Sequence, residues 1–291
     1  MPESRDPDLL PLYPLLYEKT VRRALAEDLG RAGDLTTDAI VSPGDTATGV
    51  IIAQESGRIA GVEVAGCAFH CLDPKLSYEV RLRDGKDAEP GETVAVVRGA
   101  ARPILSAERI ALNFLMRLSG IATATREIVR QVSAYPAQVV CTRKTTPGLR
   151  ALEKYAVRAG GGTNHRFGLD DAVLIKDNHI LVAGGVEEAI RRVRRRVGHM
   201  VKIEVEVDTL EQLESVLEEK VDAVLLDNMS PETLAEAVRM TDKRAITEAS
   251  GGITPRTAAS IAAAGVDLIS VGWLTHSAPA LNLSLDLTFQ L

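Results

Sequence analysis

Three strand-like segments alternate with two helix-like segments in residues 201–252, VKIEVEVDTLEQLESVLEEKVDAVLLDNMSPETLAEAVRMTDKRAITEASGG. Each strand-like run contains β-branched residues, and a polar residue stands at its end. The spacing from Glu206 to Asp227, from Asp227 to Ser250 and from Ser250 to Gly272 corresponds in each case to about one helix and one strand. This alternation predicts βα units around a parallel sheet, arranged as a (β/α) barrel, with a doubly wound open sheet as the structural alternative.

The alternation of predicted strands and helices extends through the second half of the chain. The predicted strands are 138–141, 172–175, 201–207, 223–226, 245–248 and 268–271. Helix starts are marked by capping residues: Asp208 or Thr209 precedes a helix over 210–219, Ser230 with Pro231 opens the next, and Thr254 with Pro255 opens another.

The first part of the chain has a different pattern of predicted strands and helices. Residues 49–53 and 93–98 predict short strands, and residues 63–72 predict a helix, which together favour a small α+β domain. Ser119 and Gly120 interrupt an apolar helical segment and suggest a boundary. We therefore expect three segments. These are an N-terminal α+β domain at 1–118, a barrel domain at 119–280, and a C-terminal tail at 281–291 that packs back on the N-terminal domain.

Composition favours a globular protein of the cytoplasm. The 291 residues are 45% hydrophobic with a formal net charge of -6, which argues against nucleic acid as a partner. Three cysteines without flanking ligands fit a reducing compartment better than a disulfide framework. The first 17 residues lack the basic-then-apolar order of a secretory signal, and no apolar run is long enough for a bilayer, so we expect no membrane association.

Charged residues follow several predicted strands. Arg143 and Lys144 come after 139–142, Lys176 ends another strand, and Glu206 and Asp227 end two more. A single such residue is explained by a strand meeting solvent. Because parallel barrels build active sites at the carboxyl ends of their strands, four strands with this pattern predict one site.

The acidic strand 204–208 offers two carboxylates on one face, Glu204 and Glu206, while Val205 and Val207 share the other face. If Glu204 is merely exposed and Glu206 reaches the barrel mouth, Glu206 is able to hold a magnesium ion or to accept hydrogen bonds from ribose hydroxyls.

Glycines in two successive late loops predict an anion site. Ser250, Gly251 and Gly252 follow one strand, and Val271 with Gly272 ends the next, so free backbone N–H groups are available for a phosphate.

The segment 160–166, GGGTNHR, joins three glycines to two potential cations. Taken alone, His165 is as consistent with a hydrogen-bonded structural histidine as with a ligand-binding one. Arg166 favours binding of a carboxylate or a phosphate, which a guanidinium matches with two parallel hydrogen bonds.

Taken together, these motifs resemble the quinolinate phosphoribosyltransferase family over nearly the whole chain. The most specific matches are TRKTTPGLR at 142–150 and GGTNHR at 161–166. The other matching stretches are EDLG at 27–30, GDLTT at 33–37, AER at 107–109 with LN at 112–113, IKDNH at 175–179, EVEVD at 204–208, LDN at 226–228, EASGGI at 248–253 and LTH at 274–276.

The resemblance implies a fold and a reaction. The fold is α/β, an incomplete (β/α) barrel with an N-terminal α+β open-sandwich domain, and the chain forms a homodimer in which the partner donates the arginine matching Arg109. The reaction is that of a pentosyltransferase: transfer of the phosphoribosyl group of phosphoribosyl pyrophosphate to quinolinate with decarboxylation, giving nicotinate mononucleotide, CO2 and pyrophosphate for NAD synthesis. Mg²⁺ is the implied cofactor.

Residue by residue, the resemblance also implies roles. The residues around the quinolinate carboxylates are Arg109, Arg143, His165, Arg166 and Lys176. Lys144, Glu206 and Asp227 serve the phosphoribosyl group, with Glu206 and Asp227 as Mg²⁺ ligands, direct or indirect. The 5-phosphate is held by Ser250, Gly251, Gly252 and Gly272. The substrate-binding set is completed by Thr142, Val271 and Trp273, and Trp273 departs from the smaller residue usual in the family. The residues expected to act in catalysis are Lys144, Lys176, Glu206 and Asp227.

Two rival functions remain at this stage. One is a related phosphoribosyltransferase that uses the same scaffold on another acceptor, such as the molybdenum-associated paralogue. The other is a non-catalytic anion-binding protein, which the paired acids Glu206 and Asp227 beside so many cations disfavour.

Overall fold

The computed structural model describes residues 9–290, and the chain divides into two compact units. Within the described residues, unit 1 comprises 9–126, 145–161 and 275–290, and unit 2 comprises 127–144 and 162–274. The first expected domain range starts at residue 1 and the last ends at residue 291, so residues 1–8 and 291 of these ranges lie outside the described part of the chain.

Unit 1 combines an antiparallel sheet with helices. Its elements up to the long helix are, in order, a 3-10 turn at Pro14–Leu16, α1 (Glu18–Leu29), α2 (Leu35–Ile40), β1 (Thr46–Ala53), β2 (Gly57–Arg58), α3 (Val62–Leu72), β3 (Ser77–Val80), β4 (Asp87–Ala88) and β5 (Thr93–Ala100). Helix α4 (Ala101–Val132) follows, and α5 (Arg150–Ala159) belongs to the same unit. The strands expected at 49–53 and 93–98 and the helix at 63–72 are therefore confirmed.

Helix α3 packs against Tyr78 on strand β3 of the unit 1 sheet. Strand β1 alternates buried and half-buried residues, as a period of two requires for a sheet with one covered face. Tyr78 on β3 donates its hydroxyl to the carbonyl oxygen of Val62 at 3.0 Å, and its ring centroid lies 5.9 Å from that of Phe69. Gly66 permits this approach, because a Cβ there would lie 2.8 Å from the Tyr78 ring.

Helix α4 runs through Ser119 and Gly120, so the expectation that these residues interrupt the helical segment is wrong. Their small size serves packing instead. The Ser119 hydroxyl accepts a hydrogen bond from the Ala60 N–H at 3.1 Å, and the Gly120 backbone lies against the carbonyl group of Pro279.

Unit 2 is built on six parallel strands in the order β6-β11-β10-β9-β8-β7. Their bounds are β6 Gln138–Val140, β7 Val173–Ile175, β8 Ile203–Val207, β9 Ala223–Asp227, β10 Ile246–Ser250 and β11 Leu268–Ser270. All six predicted strands are present, displaced by at most two residues at an end. Since β6 and β7 do not pair with each other in this sheet, the barrel is incomplete, and the predicted α/β fold class is confirmed.

The helices of unit 2 are α6 (Asp177–Ala183), α7 (Val186–Arg194), α8 (Leu210–Glu218), α9 (Pro231–Thr241) and α10 (Ala258–Ala263). Two predicted helix starts are confirmed. The hydroxyl of Thr209 accepts from the Gln212 N–H at 3.2 Å, and that of Ser230 accepts from the Thr233 N–H at 3.2 Å. The start at Thr254 is wrong, because the Thr254 N–H donates to the Thr257 hydroxyl in a turn that precedes α10.

The chain ends in a short helix, α11 (Trp273–His276), and a strand, β12 (Leu283–Gln290). Strand β12 pairs antiparallel with β1, in the four-stranded order β12-β1-β5-β3, and Asp286 lies opposite Val50. The expected C-terminal tail contains this strand. No helix within residues 9–290 has both the length and the apolar character that crossing a bilayer requires.

Replacing Gly120 with Ala tests the close packing of α4. Alanine usually stabilises a helix, but a Cβ at this position would collide with the Pro279 carbonyl oxygen and lie 2.9 Å from the Cα of Ala280. We expect the free energy of unfolding to fall by about 2 kcal/mol in urea titrations. Gly44→Ala, where a Cβ meets nothing within 4 Å, is the matched control. A Gly120→Ala variant as stable as wild type would contradict this account of the packing.

Candidate active site

A cavity of about 400 Å³ lies at the carboxyl ends of the strands of unit 2. Its volume falls in the range of small-molecule sites. The lining residues are Thr142, Arg143, Lys144, His165, Arg166, Leu174, Lys176, Glu206, Leu225, Asp227, Glu248, Ser250 and Ser270. Nine of these are site residues that the sequence predicted, and they come from separate strand ends.

Backbone pairing explains how His165 and Arg166 reach this cavity. Thr163 forms a parallel bridge with Val140 on β6, donating its N–H to the Val139 carbonyl at 2.8 Å. The segment that follows therefore continues along the edge of β6. It delivers two side chains to the rim where Arg143 also lies.

The two arginines in the cavity are held close together without a full set of partners. The Nε atoms of Arg143 and Arg166 are buried and have no hydrogen-bond partner among the described residues. One Arg166 nitrogen donates to the carbonyl oxygen of Ala172 at 2.9 Å. Burial, and then the positive charge of Arg143, lower the pKa of Arg166. Unpaired buried donors of this kind are suited to an anion that supplies acceptors.

Carboxylates from two neighbouring strands border the same cavity. Glu206 on β8 is half-buried and forms an ion pair with Lys176 at the end of β7. Asp227 at the end of β9 accepts a hydrogen bond from the Asn228 side chain at 2.6 Å. Carboxylate oxygens are ligands that Mg²⁺ prefers, and the assignment of Mg²⁺ to Glu206 and Asp227 stays a prediction.

Behind the rim lies an acidic cluster that the sequence analysis missed. Glu204 and Glu248 are only 8% and 1% exposed, so the premise that Glu204 is exposed is wrong. The Nε2 atom of His165 lies 2.8 Å from a carboxylate oxygen of Glu204 and 3.7 Å from one of Glu248. His165 is therefore hydrogen-bonded inside the fold and also lines the cavity, and its binding of a ligand stays a prediction.

The pKa of Glu248 is raised to about 7, from an ordinary value of 4.5. Burial is the largest cause and the negative charge of Glu204 the next, while His165 acts in the opposite direction. Two carboxylates beside one imidazole cannot both ionise cheaply in a site with little solvent. A proton is thus retained in this cluster close to neutral pH.

The missed residues share a simple spacing. Each of five buried or lining residues precedes a predicted site residue by two positions. The pairs are Leu174 and Lys176, Glu204 and Glu206, Leu225 and Asp227, Glu248 and Ser250, and Ser270 and Gly272. Since side chains two apart on a strand share a face, strand alternation was the signal that would have identified this inner layer.

The glycine loops lie beyond the lining residues. Gly251 and Gly252 have φ values of 101° and 58°, which a residue with a Cβ rarely adopts. The indole N–H of Trp273 donates to the Ile253 carbonyl at 2.8 Å, and the Val271 N–H donates to that of Val140 at 3.0 Å. The predicted residues Gly251, Gly252, Val271, Gly272 and Trp273 follow β10 and β11 without lining the cavity, and their contact with a phosphate stays a prediction.

Arg109 is the one predicted cation outside unit 2. It lies exposed on α4 in unit 1 and is absent from the lining of the cavity. Its assigned role therefore stays a prediction.

The raised pKa of Glu248 predicts a pH dependence of stability. The folded state binds the proton more tightly than the unfolded state, so this stabilisation is full below about pH 4.5 and is lost as pH rises through 7. Gln cannot ionise. We expect the free energy of unfolding of Glu248→Gln, relative to wild type, to increase from pH 5 to pH 8 by on the order of 1 to 3 kcal/mol.

Urea unfolding at several pH values measures this difference. Glu214→Gln on the exposed face of α8 is the control, because it removes a carboxylate without changing a buried cluster. Parallel stability curves for wild type and Glu248→Gln would show that no proton is taken up there on folding.

Comparison with known proteins agrees with this architecture. The N-terminal domain of quinolinate phosphoribosyl transferase matches residues 34–119, and its C-terminal domain matches residues 121–286. The two matches meet near the boundary expected from the sequence, within helix α4.

Similar proteins extend over nearly the full length. A nicotinate-nucleotide pyrophosphorylase [carboxylating] of Mycobacterium leprae is 46% identical, over 92% of this chain and 96% of that protein. A probable enzyme of the same name from Bacillus subtilis is 43% identical, over 94% of each. The crystal structure of NadC from Streptococcus pyogenes superposes with a TM-score of 0.93 at 38% identity, covering 97% of this chain and 99% of that one. With both domains matched and this identity sustained along the sequence, the chain belongs to the quinolinate phosphoribosyltransferase family.

Proposed function

We propose that this protein transfers the phosphoribosyl group of phosphoribosyl pyrophosphate to quinolinate and releases CO2 and pyrophosphate, forming nicotinate mononucleotide for NAD synthesis. The relatives described above are named for the carboxylating pyrophosphorylase reaction, which favours quinolinate over the acceptor of a molybdenum-associated paralogue. The observation that carries the proposal is the cavity in which five basic and three acidic side chains converge from separate strands.

The negative charges of the substrates and the basic residues of the cavity support this assignment. A monophosphate, a pyrophosphate and two pyridine carboxylates must enter one site, so their mutual repulsion has to be offset by cations. Five basic side chains line the cavity: Arg143, Lys144, His165, Arg166 and Lys176. A neutral cavity of the same volume would leave these anions to repel one another.

The diacid side is assigned to Arg143, His165, Arg166 and Lys176. The buried, unpaired Nε atoms of the two arginines offer donors for carboxylate oxygens. The imidazole of His165, hydrogen-bonded to Glu204 at 2.8 Å, also lines the cavity. These residues would orient the ring nitrogen of quinolinate toward the sugar.

The phosphoribosyl side is assigned to Lys144, Glu206 and Asp227, with Thr142 and Ser250 beside them in the lining. Glu206 and Asp227 would accept hydrogen bonds from the ribose hydroxyls, and Lys144 would counter the charge of the pyrophosphate. The backbone N–H groups around Gly251, Gly252 and Gly272 would bind the 5-phosphate, flanked by Val271 and Trp273.

Mg²⁺ belongs to the same proposal. Glu206 and Asp227 would hold it, directly or through water, and the ion would supply charge neutralisation for the departing pyrophosphate. The Lys176 ammonium is paired with Glu206, so the residue assigned to the diacid is coupled to one assigned to the metal.

The chemistry then follows from positioning and electrostatics. The bond from the ribose carbon to pyrophosphate breaks with its electron pair leaving on the oxygen, and the carbon becomes oxocarbenium-like. The lone pair of the ring nitrogen forms the new bond and makes a pyridinium. Loss of CO2 leaves an electron pair on the adjacent ring carbon, which the positive nitrogen stabilises until a proton is added. No organic cofactor is required for this step.

The assembly is proposed to be a homodimer in which each protomer donates Arg109 to the quinolinate site of its partner. The reducing environment suggested by the sparse cysteines supports a cytoplasmic location. Arg109 is exposed on α4 and is therefore accessible to a second copy of the chain.

Product analysis tests the reaction directly. The purified protein, quinolinate labelled at its 2-carboxylate, phosphoribosyl pyrophosphate and Mg²⁺ should give labelled CO2 and nicotinate mononucleotide in equal amounts. A chelator should abolish both products. Retention of quinolinate without release of pyrophosphate would instead favour the non-catalytic alternative.

Mixed dimers test the donation of Arg109. Arg109→Ala alone should raise the Michaelis constant for quinolinate, and Glu206→Ala alone should abolish turnover. After co-refolding in equal amounts, half of the dimers carry one protomer of each kind and one intact site, so activity should return to about a quarter of wild type. Activity that remains at the mean of the two single variants would place Arg109 in its own protomer's site or outside both.

A further inference from the structure

Asn228, directly after β9, connects the polar ends of two neighbouring strands. Its side-chain Nδ2 donates to a carboxylate oxygen of Asp227 at 2.6 Å, and its backbone N–H donates to the Ser250 carbonyl at 2.9 Å. Ser250 on β10 lies opposite Asp227 in the parallel register, and both residues line the cavity. One residue therefore ties a carboxylate of the cavity to the next strand.

The backbone of Asn228 is left-handed, with a φ of 55°. This conformation is unfavourable for a residue with a Cβ, although Asn tolerates it better than most residues. Such a conformation persists where surrounding contacts hold it. The hydrogen bonds to Asp227 and Ser250 are contacts of this kind.

The other end of the Asn228 amide lies against the glycine loop. A Cβ on Gly251 would collide with the side-chain oxygen of Asn228 and would lie 2.7 Å from its Cγ. Gly251 also has a φ of 101°, so a side chain is disfavoured there for two independent reasons. Although Asn228 is exposed, its amide thus lies between the Asp227 carboxylate and the first glycine after β10.

We infer that Asn228 is a positioning residue, which fixes the Asp227 carboxylate and the Gly251 backbone relative to each other for binding of the phosphoribosyl substrate. Asn228 is outside the lining of the cavity, so it acts through these two neighbours. The inference rests on the proposed function, because Asp227 and Gly251 are assigned there to the phosphoribosyl side. The diacid side, around His165 and Arg166, is served by other loops.

Asn228→Gly tests this inference, because Gly retains the left-handed backbone and removes only the amide. Loss of one hydrogen bond to a charged group predicts a rise of about tenfold in the Michaelis constant for phosphoribosyl pyrophosphate, with that for quinolinate changed less than about twofold. Initial rates with each substrate varied at saturation of the other measure both constants.

Asn228→Asp is the second variant. It keeps an oxygen toward Gly251 but replaces the donor with a negative charge beside Asp227. A larger rise in the same constant is expected, again without a comparable change for quinolinate.

Lys243→Gly provides the matched control. Lys243 is also left-handed, with a φ of 59°, and lies before β10, outside the lining of the cavity. The Lys243→Gly substitution relieves backbone strain in the same way, without removing a contact near the site. Both Michaelis constants should stay at their wild-type values.

The outcomes separate the inference from the proposed function. If wild-type protein forms no nicotinate mononucleotide, the proposed function fails. If wild type is active and Asn228→Gly leaves the constant for phosphoribosyl pyrophosphate unchanged, or raises both constants equally, the inference is overturned. Calorimetric binding of quinolinate reports that each variant is folded. Failure of both Asn228 variants to bind quinolinate would assign Asn228 to folding and would also overturn it.

Discussion

Parallel hydrogen bonding among β6 to β11 is the constraint on which the site depends. Parallel strands bring all their carboxyl ends to one edge, so residues more than a hundred positions apart in sequence border the same cavity. The register places Asp227 opposite Ser250 and Glu206 opposite Leu225. The positions of these groups are therefore determined by backbone pairing. A site built on strand ends holds its geometry better than one built on free loops.

Charge in this unit is organised in two layers, and strand alternation explains why. One layer carries the cations together with Glu206 and Asp227. The other consists of Glu204 and Glu248, which are buried around His165, although Glu248 also reaches the cavity lining. Each layer brings like charges together, which is costly without compensation. His165 lies between the layers and reduces the cost of the inner one, because its imidazole contacts Glu204. The same imidazole is presented to the cavity.

Small residues let backbone segments of unit 1 come close together at helix α4. Ser119 and Gly120 lie within α4, and their lack of bulk lets backbone segments from both ends of the unit approach the helix. The sequence signal of a small polar residue followed by Gly was therefore real, but it marked a close approach. Glycine in a helix has a propensity cost of about 1 kcal/mol, which packing can outweigh.

The sequence by itself indicated the strands and the α/β class, because apolar runs are local features. The charged residues after predicted strands identified five residues of the cavity lining: Arg143, Lys144, Lys176, Glu206 and Asp227. Glycine-containing segments and the family resemblance supplied four more: Thr142, His165, Arg166 and Ser250. Several features were decided only by the tertiary structure. They are the burial of Glu204 and Glu248, the ion pair between Lys176 and Glu206, and the start of α10 after the turn at Thr254. Burial and pairing depend on which strands become neighbours, and hydrogen bonding across the sheet specifies that order. The sequence of one strand does not show whether its carboxylate will be exposed to water or will contact an imidazole.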